Sequence, residues 1–194
     1  LFAGLDDGNK RLDIFNNEIG PFVKHIDKQN NQNKTFVYGG SYGGWIVMKL
    51  AVSPFGNNVK AGATRNGLGN MSTFFDKTAP WRKKHRASEY LERHDDCQEV
   101  NNCPQCRELM DQLSPINDED NDRPQPSIRR LLMFTGTKDR RVPPKNTQEY
   151  CDAVFDLEQK YNNPWHIPLI GEGHKIKRFI NRMFSMYHVI RWFK

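Results

Sequence analysis

The sequence predicts an α/β chain built on a mainly parallel sheet flanked by helices. Three observations carry that expectation. Short apolar runs alternate with amphipathic stretches, the pattern of strands covered on both faces. One such run leads directly into a glycine-rich turn and a helical pattern, Gly39-Gly40-Ser41-Tyr42-Gly43-Gly44. The length of 194 residues suits one domain, spanning 1–194, and is short for two.

Along the chain, Leu12, Phe15, Ile19, Phe22, Val23 and Ile26 recur at helical spacing, and Gly20-Pro21 is expected to kink or split that helix. Residues 35–38 read as a short buried strand entering the turn. Ile46, Val47, Leu50 and Ala51 mark a helix that stops before Ser53-Pro54. A second strand is expected over 59–64. Residues 71–112 look helical and polar, outside the sheet, and 117–127 are a charged, proline-rich loop. Residues 131–134 restore a buried strand. Asn146 is expected to start a helix, with Glu149 as capping partner and Tyr150, Val154 and Leu157 facing inward. Residues 165–170 form the last strand, and the final helix is expected to turn Ile176, Phe179, Ile180, Met183, Tyr187 and Ile190 inward.

Composition excludes some classes of function. Hydrophobic residues make up 37% and charged residues 27%, ordinary for a globular domain. No apolar run approaches the ~18–20 residues of a membrane span, so no membrane partner is expected. The net charge of +6 is spread along the chain, with local groups at 82–86 and 175–182. Neither group is interleaved with aromatics in a pattern that reads a nucleic acid, so solvated helix faces are expected and no nucleic acid partner. The chain opens at Leu1 without an initiator Met and without a basic, apolar leader. It is expected to begin inside a longer reading frame or after processing, with a cytoplasmic location.

Cys97, Cys103 and Cys106 cluster, and Cys151 stands apart. Cys103-Pro104-Gln105-Cys106 has zinc-knuckle spacing, with Cys97 and His94 as further possible ligands. A second close pair is missing, so the leading reading is unpaired thiols, ahead of a local disulfide and then a metal site. No metal and no cofactor are expected, and the redox compartment stays open.

The chemistry lies in the turn. Gly39-Gly40-Ser41-Tyr42-Gly43 fits the Gly-x-Ser-x-Gly nucleophile elbow, with a strand before it and a helix after it, and so predicts an α/β-hydrolase. A serine hydroxyl needs a base to remove its proton and a turn that presents it. The flanking glycines are expected because a side chain there would strike the neighbouring strand or helix. The helix N-terminus brings a positive dipole end toward a developing oxyanion. Such a triad continues in the order Ser, acid, His. Asp139 follows the third strand, whereas Asp152 and Asp156 sit on the next helix and Asp118, Asp120 and Asp122 in the polar loop. His174, in Gly171-Glu172-Gly173-His174, follows the last strand. His166 and His188 lie inside elements, and His25, His85 and His94 precede the acid.

The Gly39–Gly44 turn, the run Gly136-Thr137-Lys138-Asp139-Arg140-Arg141-Val142-Pro143-Pro144 and the segment Glu172-Gly173-His174 together resemble the prolyl oligopeptidase family of serine peptidases. Thr78-Ala79-Pro80-Trp81-Arg82, Glu89-Tyr90 and Ser114-Pro115-Ile116 are similar to stretches in many bacterial-type members. The likeness runs from about residue 35 to the C-terminus. It implies Ser41 as nucleophile, Asp139 as acid and His174 as base, with the Tyr42 backbone N–H as one oxyanion donor. Residues 97–105 look like extra sequence. The early strands, the second oxyanion donor and the β-propeller often found in the family have no counterpart here. These residues are therefore expected to be the C-terminal portion of the hydrolase sheet, needing upstream residues of the same parent protein to complete the fold.

The expected activity is hydrolysis of short peptides through an acyl-enzyme on Ser41. The same triad also suits a carboxylesterase, and a non-catalytic fragment or interaction module is the alternative from another class. Trp45, Phe74, Phe75 and Trp81 are candidates for a pocket wall, with core packing the commoner role for such residues.

Overall fold

The best-buried strand is made from a six-residue run, Leu131–Gly136, whose residues are all buried. An apolar run of this kind is stable as a strand only when both of its faces are covered. Its side chains alternate between two cores. Leu131 and Met133 enter a large cluster with Phe15, Trp45, Met48, Leu113 and Tyr150. Leu132 and Phe134 enter a small one with Ala63, Leu169, Ile176 and Val189.

The computed structural model describes residues 8–30, 35–81, 87, 97, 99–117, 126–128, 130–155 and 165–194. Among them, helix α1 (Gly8–Ile14) continues through a π-helical turn (Phe15–Ile19) into α2 (Gly20–Gln29). Strand β1 (Phe36–Gly40) feeds α3 (Tyr42–Val52), and β2 (Ala61–Arg65) precedes α4 (Met71–Lys77). Helix α5 (Pro104–Leu113), strand β3 (Leu131–Gly136), helix α6 (Pro144–Val154), strand β4 (Trp165–Leu169) and helix α7 (Phe179–Phe193) follow.

The four strands pair in the order β1-β2-β3-β4, all parallel. Gly40 lies opposite Arg65, Arg65 opposite Phe134, and Gly136 opposite Leu169. The loops after all four strands therefore leave from one edge of the sheet, the edge where open parallel sheets hold their ligands. Two long-range hydrogen bonds lock α3 beneath that edge. Trp45 Nε1 donates to Leu113 O at 2.7 Å, and Tyr150 Oη donates to Met48 O at 3.0 Å.

The expected strands are present within about two residues, and Gly20-Pro21 does interrupt the first helix, as a π-turn before Pro21. Phe22 of that helix faces outward. The 71–112 region is less polar than expected: Met71, Phe74, Phe75, Cys106, Leu109 and Met110 are buried in the main core. Asn146 does not begin its helix. Pro143 occupies the cap, and the fully buried Asn146 side chain instead accepts from Gly69 N–H and Asn70 N–H, at 2.6 and 3.2 Å. Leu157 lies outside the described residues.

The clearest correction is α7. Phe179 is 69% exposed, and Ile180, Met183, Tyr187 and Ile190 also face outward. Only Val189, together with Ile176 in the preceding loop, is buried. The helix packs on the sheet through Val189, Trp192 and Phe193, with Phe193 against Phe36 of β1 and Trp192 against Trp165 of β4, so most of the stripe that the periodicity marks as apolar lies exposed. Among the described residues β1 is likewise an outer strand of the sheet, and Tyr38 on it is 52% exposed.

Candidate active site

Ser41 sits between β1 and α3 with φ +56° and ψ −119°, a left-handed conformation that costs a residue with a Cβ about 1–3 kcal/mol. Its N–H donates to Arg65 O at 2.9 Å, and its carbonyl accepts the Trp45 N–H at 3.2 Å, the first hydrogen bond of α3. The hydroxyl caps nothing on the helix. The turn thus holds the backbone at both ends and leaves Oγ uncommitted among the described residues.

Glycine makes this turn possible at two places. A Cβ on Gly39 would enter the backbone of Gly43, and one on Gly44 would lie 2.7 Å from Gly67 Cα. Gly43 would meet nothing within 4 Å. The steric need expected at the second motif glycine therefore belongs to the residue after it. Tyr42 braces the turn from the other side, its ring 5.1 Å from that of Trp45, with the buried Arg11 guanidinium over its outer face at 5.1 Å.

Asp139 lies in the loop after β3, and its side chain is 0% exposed. Oδ1 accepts the N–H groups of Arg141 and Val142 at 2.8 and 3.0 Å. Oδ2 accepts from His174 Nδ1 at 2.8 Å. A carboxylate at that distance requires the proton on Nδ1, which leaves Nε2 as the ring's acceptor. The His174 side chain is 17% exposed, so the ring meets the site edge without being flooded by water. The structure thus brings Asp139 and His174 together. It brings Ser41 to the same sheet edge, with no hydrogen bond between its hydroxyl and His174. Such catalytic hydrogen bonds often form only once substrate binds.

Two residues not singled out in the sequence organise these loops. Asn66 follows β2 and bonds to the segments around both Gly136 and His174. Glu172 is buried, and its carboxylate accepts Lys177 N–H, Arg178 N–H and Asn181 Nδ2 at 2.8, 3.1 and 2.7 Å, while its carbonyl accepts Lys138 N–H at 2.8 Å. The local signals were an Asn-Gly pair after a strand and a charged residue between two loop glycines.

The Lys177 backbone N–H, more than any other partner, holds the Glu172 carboxyl below its ordinary value of 4.5, and Asn181 and Arg178 add to this against the opposing effect of burial. A depressed carboxyl stabilises the fold above that value and loses its contribution as pH falls through the lowered one. Glu172→Gln is expected to cost about 2 kcal/mol at pH 7. In denaturant unfolding, the gap between the two proteins should close as pH falls below 4.5. A gap independent of pH would mean that the charge contributes nothing.

The remaining candidates lie elsewhere. His166 Nε2 lies 3.0 Å from Thr135 Oγ1 within β4, and burial pushes its pKa down. His188 stacks on Phe184 at 4.3 Å, and His25 pairs with Gln29 on an exposed face. Asp152 accepts from Gln148. His85, His94, Asp118, Asp120, Asp122 and Asp156 lie outside the described residues. Trp45, Phe74 and Phe75 are core, whereas Trp81 is exposed beneath the Arg141 guanidinium at 5.5 Å. The leading reading of the cysteines is corrected: Cys97 and Cys103 are joined in a disulfide. Cys106 and Cys151 are buried thiols pushed up by desolvation, Cys151 to about 12 with help from the Asp152 charge, so neither is a ready thiolate at neutral pH. Among the described residues no cluster of three His, Cys, Asp or Glu could hold a metal ion, and no helix is long and apolar enough to cross a membrane.

A family model described as the prolyl oligopeptidase family matches residues 22–194. Among solved structures, a Mycobacterium tuberculosis puromycin-hydrolysing peptidase is 16% identical with a TM-score of 0.68, over 89% of this chain and 23% of its own. A structure from a study of two prolyl endopeptidases is 16% identical with a TM-score of 0.73, over 96% of this chain and 26% of its own. A Pyrococcus horikoshii acylaminoacyl peptidase is 18% identical with a TM-score of 0.60, over 87% and 25%. The fold shared with them is that of α/β-hydrolase peptidases, and this chain spans about a quarter of their length. No curated protein matches the sequence.

Proposed function

This chain belongs to the prolyl oligopeptidase family, and from that premise we propose that it carries the catalytic triad of a serine peptidase acting on short peptides. The observation that carries the reading is the 2.8 Å bond from His174 Nδ1 to an Asp139 carboxylate whose other oxygen is held by two backbone N–H groups. In this reading His174 Nε2 takes the Ser41 proton as Oγ attacks the scissile carbonyl carbon. The Tyr42 N–H, at the start of α3, stabilises the oxyanion. The amine leaves with the proton from His174, and water, deprotonated in turn by His174, releases the acyl group from Ser41.

Residues 1–194 then act as the C-terminal part of one catalytic domain. The outer position of β1 and the exposed Tyr38 support a further strand beside it, from which a second oxyanion donor would come. The compartment proposed is the cytoplasm, against which the Cys97–Cys103 bridge favours an oxidising one.

The test is turnover of short peptide amides and of simple esters by the full-length polypeptide carrying these residues. Amide hydrolysis lost in Ser41→Ala is expected. Turnover of esters alone would replace the peptidase with a carboxylesterase, and turnover of neither would favour an interaction module.

A further inference from the structure

Asn66 is 1% exposed and adopts φ +50°, so a polar side chain is held in the left-handed region inside the protein. Such a conformation costs free energy and persists where surrounding bonds determine it. Here each polar group of the side chain is used. Oδ1 accepts the Gly136 N–H at 2.8 Å, and Nδ2 donates to His174 O at 2.9 Å. The Asn66 N–H donates to Phe134 O at 2.8 Å, and the carbonyl of the preceding Arg65 accepts the Ser41 N–H at 2.9 Å.

Two consecutive residues therefore touch all three segments that would carry the triad. Arg65 holds the nucleophile turn. Asn66 holds the start of the acid loop, where the Asp139 N–H returns to Gly136 O at 3.0 Å. It also holds the base itself, through a backbone bond across 108 residues of sequence. His174 is fixed at its ring by Asp139 and at its backbone carbonyl by Asn66. Without the second bond, the His174 loop could pivot about the Asp139 contact.

We propose that Asn66 is a positioning residue for the base, setting the distance and direction of His174 relative to Ser41. The proposal rests on the serine peptidase reading and adds to it a residue that does not touch substrate. Loss of positioning by about 1 Å is worth about 100-fold in rate.

Two variants of the full-length polypeptide separate side chain from backbone. Asn66→Gly keeps the positive φ and removes both side-chain bonds. Asn66→Asp keeps an acceptor for Gly136 but turns a carboxylate oxygen toward His174 O. Both are to be compared with the parent in kcat, KM, cooperative unfolding and the rate of fluorophosphonate labelling. Expected is a fall of about 100-fold in kcat and in labelling rate, with KM nearly unchanged and unfolding still cooperative. Variants within threefold of the parent in kcat and labelling would overturn the proposal. So would a rise in KM with kcat unchanged, or loss of folding in both, which would make Asn66 purely structural. A parent that is not labelled at all would instead sink the serine peptidase reading.

Discussion

Asp139→Asn is expected to lower kcat about 10⁴-fold while leaving the fold intact, the magnitude seen when a triad aspartate is replaced by its amide. The size follows from where the two oxygens point. Oδ1 already accepts the Arg141 and Val142 N–H groups. An asparagine must keep its carbonyl on that side, because its NH₂ would face two donors there. The NH₂ is then forced toward His174 and can only donate to Nδ1. That bond moves the ring proton to Nε2, the atom that has to accept from Ser41, and the base is switched off by tautomer alone. Steady-state kinetics of the full-length polypeptide, alongside its unfolding curve, check this. A loss below tenfold in a folded variant would mean that Asp139 does not orient the base.

The second large effect is steric. Gly39→Ala is expected to cost at least 3 kcal/mol, on the order of a severe backbone clash, and to abolish activity, because its Cβ would enter the Gly43 backbone. Gly44→Ala should be nearly as harmful, since it would press on Gly67 Cα. Gly43→Ala has open space and lies in the first turn of α3, where alanine is favoured over glycine by about 0.5–1 kcal/mol. Denaturant midpoints should therefore place Gly43→Ala at or above the parent and Gly39→Ala far below. Equal losses at all three positions would contradict the geometry of the turn.

The contrast between α7 and the nucleophile turn shows what the sequence could convey. Gly39, Ser41 and Gly43 lie within five positions between an apolar run and a helical pattern, so the strand-to-helix turn is readable from one short stretch of sequence. Asp139 and His174 were legible because each follows an apolar run and a parallel sheet delivers such loops to one edge. For α7, periodicity marks an apolar stripe but is silent about what lies opposite. Phe179 and Met183 keep the spacing of buried residues while facing outward. Asn146 shows a different limit. Its position before a helical pattern suits a cap, yet its bonds go to Gly69 and Asn70, 77 and 76 residues away. Asn66 was missed for the same reason, because a side chain that bonds to remote backbone leaves no local period; Glu172 was missed because its partners, at Lys177, Arg178 and Asn181, lie at spacings that follow no helical or strand period.

Every activity prediction above depends on the proposal that Ser41 is a nucleophile activated by the Asp139–His174 pair. Treating the full-length polypeptide with a fluorophosphonate and locating the adduct by peptide mass spectrometry tests it most directly. A single adduct on Ser41 is expected, absent in Ser41→Ala and strongly slowed in His174→Ala. An adduct on another residue, or none on the folded parent, would contradict it.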